Sequence, residues 1–205
     1  MNIILDTLIV NIYDNLDIYK SLQELKNKLL ISKKIIINSY NINISGPILD
    51  KFFTEVNELP NCIELFCNNN NITILPSLPI CKGLDCSSNK LQYLPELPKC
   101  EKILCHDNNL KTLPKLHNCI QLSVTNNNLE SIHSLPNCEW LECNGNKIKE
   151  LPLLPKCKDL DCSNNNLKII TLNQIKECQY LTCENNPNII YSKQFAYAFH
   201  MTEVN

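Results

Sequence analysis

From residue 62 onward, apolar and polar positions recur on a fixed 19-residue beat, written C-x-x-L-x-C-x-x-N-x-L-x-x-L-P-x-L-P-x. Cys81 to Lys99, CKGLDCSSNKLQYLPELPK, is its clearest copy. Units begin at Cys62, Cys81, Cys100, Cys119, Cys138 and Cys157, and a seventh begins at Cys178 after a 21-residue interval. The second cysteine of each unit is Cys67, Cys86, Cys105, Cys143, Cys162 and Cys183, with Val124 in the fourth unit, so the repeat absorbs all 13 cysteines. The fourth and sixth positions, Leu84 and Cys86 for example, sit two apart and predict a short strand with both side chains inward. Stacked units would pair such strands in parallel about 4.8 Å apart, giving a sheet about 29 Å wide. The rest of each unit is too short to return through a helix, and L-P-x-L-P favours extended or polyproline-like backbone. Leu91, Leu94 and Leu97 would fill the core from that side. In the sixth unit ITLNQIKE carries two extra residues and no proline, which predicts a bulge or a short helical turn.

The ends break the beat. Over residues 1–31, Leu5, Leu8, Ile9, Ile12, Leu16 and then Leu22, Leu25, Leu29 fall at three- and four-residue spacings, predicting a helical segment of two short amphipathic helices around Asn15–Asp17. Residues 32–61 read as a degenerate first repeat, with Ile35, Ile37, Tyr40 and Ile42 in the Leu, Cys, Asn and Leu slots. Its insertion SGPILDKFFTEVNELP reads as a helix with Ser45 or Gly46 as N-cap, Pro47 in the first turn and Pro60 past the end. Residues 62–186 hold the seven repeats. In 187–205, Ile189, Ile190, Tyr191, Phe195, Tyr197 and Phe199 form an aromatic C-terminal cap, with Ser192 starting a short helix. Terminal units of a stacked array have an open core to cover, so different ends are expected.

The unit resembles the leucine-rich repeat, matching L-x-x-L-x-L-x-x-N-x-L position for position with Cys in place of two leucines. Its L-P-x-L-P tail is similar to the short bacterial class found in secreted effectors. The composition resembles leucine-rich repeat proteins of mimivirus-like giant viruses. The resemblance implies a solenoid with a concave parallel β-sheet and an extended convex side, for which residues 1–31 would be a helical N-terminal cap; it names no partner. The effectors' ligase activity resides in a separate catalytic domain with an active-site Cys and is not carried over. Residues 1–31 faintly resemble an F-box, without its Leu-Pro start or closing Trp, which would imply a ubiquitin-ligase substrate adaptor as a second reading.

Charge narrows the partners. The formal net charge is −2, and all 19 basic residues are lysines, which argues against nucleic acid or membrane as partner. Three glycines leave no phosphate-cradling loop, and no cofactor is expected. The N-terminus has no basic leader and no apolar stretch reaches membrane-spanning length, so the thiols are expected free, in a reducing compartment: the cytoplasm, host cytoplasm if viral. A monomer is expected.

The candidate chemistry is sparse. The cysteines are spaced C-x4-C as a period rather than a knuckle, and read as core; a thiol or metal protein is a third reading. His106 follows Cys105 but points to the opposite face, and no two histidines share a spacing that sets both on one site. No catalytic residue and no metal site is assigned. Asn70, Asn89, Asn108, Asn127, Asn146, Asn165 and Asn186 occupy the ninth position of all seven units and read as a structural amide ladder. The outward positions form one face on which Glu64, Asp85, Asp107, Glu142, Asp159, Asp161 and Glu184 oppose Lys102 alone, about −6. Phe66, the single Trp140 and Tyr180 share that face. Exposed aromatics among acids suit a hot spot for a basic protein, so Phe66, Asp85, Trp140, Glu142, Asp159, Asp161 and Tyr180 are the expected contact residues of a non-enzymatic interaction module.

Overall fold

A computed structural model describes residues 5–12, 26–39, 42–190 and Phe199. One parallel sheet of nine strands runs through it, in spatial order equal to chain order. Two longer strands, β1 (Leu5–Ile12) and β2 (Ser32–Ser39), lead into seven three-residue strands. These are β3 (Glu64–Phe66), β4 (Gly83–Asp85), β5 (Lys102–Leu104), β6 (Gln121–Ser123), β7 (Trp140–Glu142), β8 (Asp159–Asp161) and β9 (Tyr180–Thr182). Each is the third to fifth position of one unit, and like positions pair: Leu65 with Leu84, Leu84 with Ile103, Ile103 with Leu122. The 19-residue beat is therefore one turn of a solenoid. Its core is one continuous cluster from Leu29 to Cys183, built from the inward Leu and Cys of each strand and the leucines of the return.

Two devices end each strand. The eighth position is left-handed in all seven units, with φ between 51° and 66° at Asn69, Ser88, Asp107, Asn126, Gly145, Asn164 and Asn185. Asn, Asp and Gly tolerate that conformation best, which explains the polar composition of this column. The ninth-position asparagine then fills the turn. Asn108 Nδ2 donates to the carbonyls of Cys105 (3.2 Å) and His106 (3.2 Å) in its own unit and of Cys86 (3.0 Å) one unit back. Its Oδ1 accepts from Leu91 N–H at 2.9 Å. Asn89, Asn127, Asn146, Asn165 and Asn186 repeat the pattern. One amide thus serves backbone groups of two units that their strands leave over.

The returns contain no helix in units one to five, as the Pro spacing predicts. In the sixth, Thr171 and Gln174 build the short turn: Gln174 Oε1 accepts from Thr171 N–H and Oγ1, both at 2.9 Å, while Nε2 donates to Leu151 O at 2.8 Å. Ile175, buried, takes the core place of a missing leucine.

The N-terminal end departs from expectation. Leu5–Ile12 is a strand, not a helix. It pairs with β2 so that Leu8 aligns with buried Ile35 while Thr7 and Ile9 face the other way. The three- and four-residue spacing fits a helix on paper; an open sheet edge beside a β-branched run wins instead. Helix among the described residues is confined to α1 (26–31), which buries Leu29, and α2 (Ile42–Val56). Ile35 and Ile37 occupy the predicted inward slots. Helix α2 starts before Ser45 and Gly46, so Pro47 lies inside it rather than in a first turn capped by either. Leu16, Leu22, Leu25, Tyr40, Tyr191, Ser192, Phe195 and Tyr197 lie outside the described residues. Of the expected aromatic cap, Ile189 and Phe199 pack against the core and Ile190 is 63% exposed. Among the described residues no helix is long and apolar enough to cross a membrane.

Helix α2 docks on the first unit through Leu49, Phe52, Phe53 and Val56, all buried. Asp50 fixes its register by accepting from Thr73 N–H (2.8 Å), Thr73 Oγ1 (2.5 Å) and Ile74 N–H (3.3 Å). Gly46 lies against the backbone carbonyl of Asn71, where a Cβ would collide. Gly-to-Ala in a helix interior normally gains about 1 kcal/mol. At Gly46→Ala the sign is expected to reverse, to a loss of about 1–3 kcal/mol, because helix and turn are both backbone at the contact. Urea denaturation of the variant checks it; a gain in stability would show that the helix can shift.

Candidate functional site

Three residues per strand is the minimum that presents two side chains on one face and buries the one between. In β3, β4, β7 and β8 the middle residue is buried and the flanking two are half-buried. The register then lines up two outward columns. The third positions run Lys34, Glu64, Gly83, Lys102, Gln121, Trp140, Asp159, Tyr180. The fifth run Ile36, Phe66, Asp85, Leu104, Ser123, Glu142, Asp161, Thr182. All seven expected contact residues lie on this face, in two groups. Trp140, Asp159 and Tyr180 are adjacent in one column, beside Glu142 and Asp161 in the other. Phe66 and Asp85 adjoin each other, about 14 Å away at three strand intervals.

The acids differ in how committed they are. Asp161 Oδ1 accepts from Ser163 N–H (3.0 Å) and Oγ (2.6 Å), and its Oδ2 accepts from Asn144 Nδ2 (2.6 Å). Asp85 holds Ser87 the same way, at 3.1 and 2.6 Å. Glu142 accepts from Ser123 Oγ at 3.1 Å. Asp107 takes Asn126 Nδ2 and His106 Nδ1, both at 2.8 Å, and these two bonds hold its carboxyl below the usual range. Asp159 makes no side-chain hydrogen bond or ion pair among the described residues. It stands half-buried between Trp140 and Tyr180, the latter 69% exposed.

Sequence reading missed what the first two strands add to this face. Lys34 bridges the Glu64 carboxylate (2.8 Å) and the Phe66 ring (4.7 Å to its centroid). Two lysines, not Lys102 alone, therefore oppose the seven acids, and the face is about −5. Ile9 and Ile36 extend the fifth column as an apolar run ending in Phe66. Ile35 and Ile37 in the inward slots carried the signal for Lys34 and Ile36; Ile9 had none, because its segment read as helix.

No protein-family model matches the chain, and no curated protein does. Solved structures do. A leucine-rich repeat protein of Leptospira interrogans superposes with a TM-score of 0.55 over 87% of this chain and 59% of that one, at 21% identity. YopM, a leucine-rich effector protein from Yersinia pestis, superposes with a TM-score of 0.53 over 84% of this chain and 60% of that one, at 19% identity. The fold is that of the leucine-rich repeat proteins. The chain spans about three-fifths of the length of either neighbour. Neither neighbour supports the giant-virus likeness.

Within each leucine-rich repeat unit the thiols are core. None of the 13 cysteines is joined in a disulfide, and all but Cys178 are buried. The first-position thiols bond the carbonyl two residues on, as Cys81 does to Gly83 (3.2 Å) and Cys138 to Trp140 (3.1 Å). Burial pushes Cys138 up to about 11 and Cys119 and Cys157 to about 12. Cys62 and Cys100 are raised by hydrogen bonds to Cys81 and then by burial, whereas Cys81, bonded to both, sits below its neighbours. Cys105 is fully buried while His106 turns to Asp107, so that adjacency joins nothing. Among the described residues no three His, Cys, Asp or Glu side chains are grouped to hold a metal ion.

Two of the surface hollows among the described residues lie beside the strands. One, about 400 Å³, lies over Gly83 between Phe66 and Leu104. The other, about 450 Å³, lies on the rim where strands begin, among Lys82, Glu101, Ile120 and Glu139. Its two acids are paired, Glu101 with Lys82 (3.1 Å) and Glu139 with Lys158 (2.7 Å), while Lys156 donates to Asn137 Oδ1 (2.7 Å) and Lys99 also lines it.

Proposed function

We propose that the chain is a non-enzymatic protein-interaction module that binds a basic protein on the open, concave face of its sheet. One observation carries this: an acid with no partner among the described residues, Asp159, stands in register between Trp140 and Tyr180, with Glu142 and Asp161 alongside. A carboxylate partly withdrawn from water and flanked by aromatic faces attracts a lysine or arginine more strongly than a fully exposed one. The leucine-rich repeat fold supports a scaffold role without naming the partner. The strand at Leu5–Ile12 takes away part of the helical periodicity behind the F-box-like resemblance, so the adaptor reading is not carried forward.

The geometry also selects the test. Charge reversal at Asp161 would break three hydrogen bonds and is expected to lower stability, whereas Asp159→Lys breaks none. Trp140→Ala/Asp159→Lys is therefore compared with wild type in a crosslinking pull-down. The expected result is a basic protein captured by wild type, released by raising salt, and lost by more than about 30-fold in the variant at unchanged Tm. Equal capture by both would reject this face as the site.

A further inference from the structure

We propose that the hollow over Gly83 is an anchor subsite, taking one large apolar side chain of an extended partner segment whose basic residues meet Asp159 and Glu142. This deepens the reading above and rests on it. The hollow exists because the third column, filled elsewhere by side chains from Lys34 to Tyr180, has no side chain at Gly83. A Cβ there would meet only Glu64 Cγ, at 3.5 Å, and the backbone is not left-handed, so nothing local requires glycine.

The charge inventory chooses the occupant. Three carboxylates line the hollow and each has a partner: Glu64 with Lys34, Asp85 with Ser87, Glu101 with Lys82. Lys102 also lines it, its side chain making no hydrogen bond or ion pair among the described residues. Three lysines, Lys34, Lys82 and Lys102, offset those three carboxylates, so a cationic side chain would gain little there and would meet Lys102. An apolar one would find Phe66 on one side and Leu104 on the other, two strands apart, with Asp85 drawn aside to Ser87. The volume, about 400 Å³, is at the small end of ligand pockets and has room for a Phe or Leu side chain.

Spacing then links the two ends of the face. Gly83 and Asp159 are four strand intervals apart, about 19 Å, which an extended peptide covers in about six residues. The partner segment is thus read as one Phe or Leu and a basic pair about six residues from it.

The test uses the full chain and labelled peptides in fluorescence anisotropy at low ionic strength. One peptide carries a Phe and a Lys-Lys pair about six positions apart on a Gly-Ser backbone, in both orders, and the other has Ser for Phe. Wild type is expected to prefer the Phe peptide by about tenfold. Gly83→Val, which fills the hollow, should bring the two peptides level while leaving the Ser peptide unchanged. Leu104→Ser, which removes one wall, is a second probe expected to act in the same direction, and both variants are checked by thermal melting. If wild type binds both peptides equally, or Gly83→Val keeps the preference, the anchor is wrong and the acidic site stands. If neither peptide binds, the basic-partner reading fails and the anchor with it.

Discussion

Between about pH 8 and pH 10 the chain is expected to lose its fold in one cooperative step. Ten buried thiols are raised in the folded state: Cys62, Cys67, Cys86, Cys100, Cys105, Cys119, Cys138, Cys143, Cys157 and Cys162. A raised thiol holds its proton longer folded than unfolded. Its contribution is therefore fully present below the unfolded value, about 8.5, and is lost as pH climbs towards the folded one. The lowest of the ten, Cys138, is pushed up to about 11, so all ten stay protonated in the native chain across this window. Each then costs about 1.4 kcal/mol per pH unit, and ten together about 14. That matches the whole stability of an ordinary domain, about 5–15 kcal/mol. Far-UV circular dichroism against pH, with reductant and without oxygen, reads the transition. Val124 already stands in a second-cysteine slot, so Cys86→Val/Cys105→Val/Cys143→Val should fold and move the midpoint up by a few tenths of a pH unit. A fold unchanged at pH 10 would mean that the thiols do not titrate as buried groups.

Asn108→Ala is expected to cost about 3–5 kcal/mol, several times the median substitution. The amide meets three carbonyls and one N–H that have little access to water, and each group left unpaired costs about 1–3 kcal/mol before relaxation. Asn108→Asp should do no better: it keeps the acceptor for Leu91 but turns a carboxylate oxygen towards three carbonyls. Asn109→Ala, one residue on and exposed, is the matched control and should stay within about 0.5 kcal/mol of wild type. Urea midpoints of the three variants check the difference. A loss below about 1 kcal/mol at Asn108 would show that water reaches the turn.

Inside the array nearly everything was legible, because one inward pattern repeats and any wrong register would put Cys86 or Leu84 outside. The turn chemistry was half legible. The ninth-position asparagines stood out as invariant. The left-handed eighth position did not, since Asn, Ser, Asp, Asn, Gly, Asn and Asn share a backbone conformation rather than a side chain. At the N-terminal end, Leu5, Leu8, Ile9 and Ile12 satisfy a helical period and lie in a strand because β2 offers them an edge, a tertiary fact with no local signature. The outward columns followed from strand parity, so the seven acids and three aromatics could be placed on one face. Which acids were already committed could not be read: Asp159 and Asp161 are two residues apart, and only the fold shows Ser163 and Asn144 closing on the second.

The strict 19-residue interval also bears on how such a chain changes length over generations. Because each ninth-position amide joins only its own unit to the one before, every internal junction is made of the same bonds. Excising residues 100–118 would bring Lys99 to Cys119 with strand, turn and amide all in phase, and duplicating them would be equally seamless. Unequal recombination between units can therefore lengthen or shorten the binding face in steps of about 4.8 Å without passing through an unfolded ancestor. The 21-residue sixth interval is the one place where such an exchange would slip by two residues and be rejected.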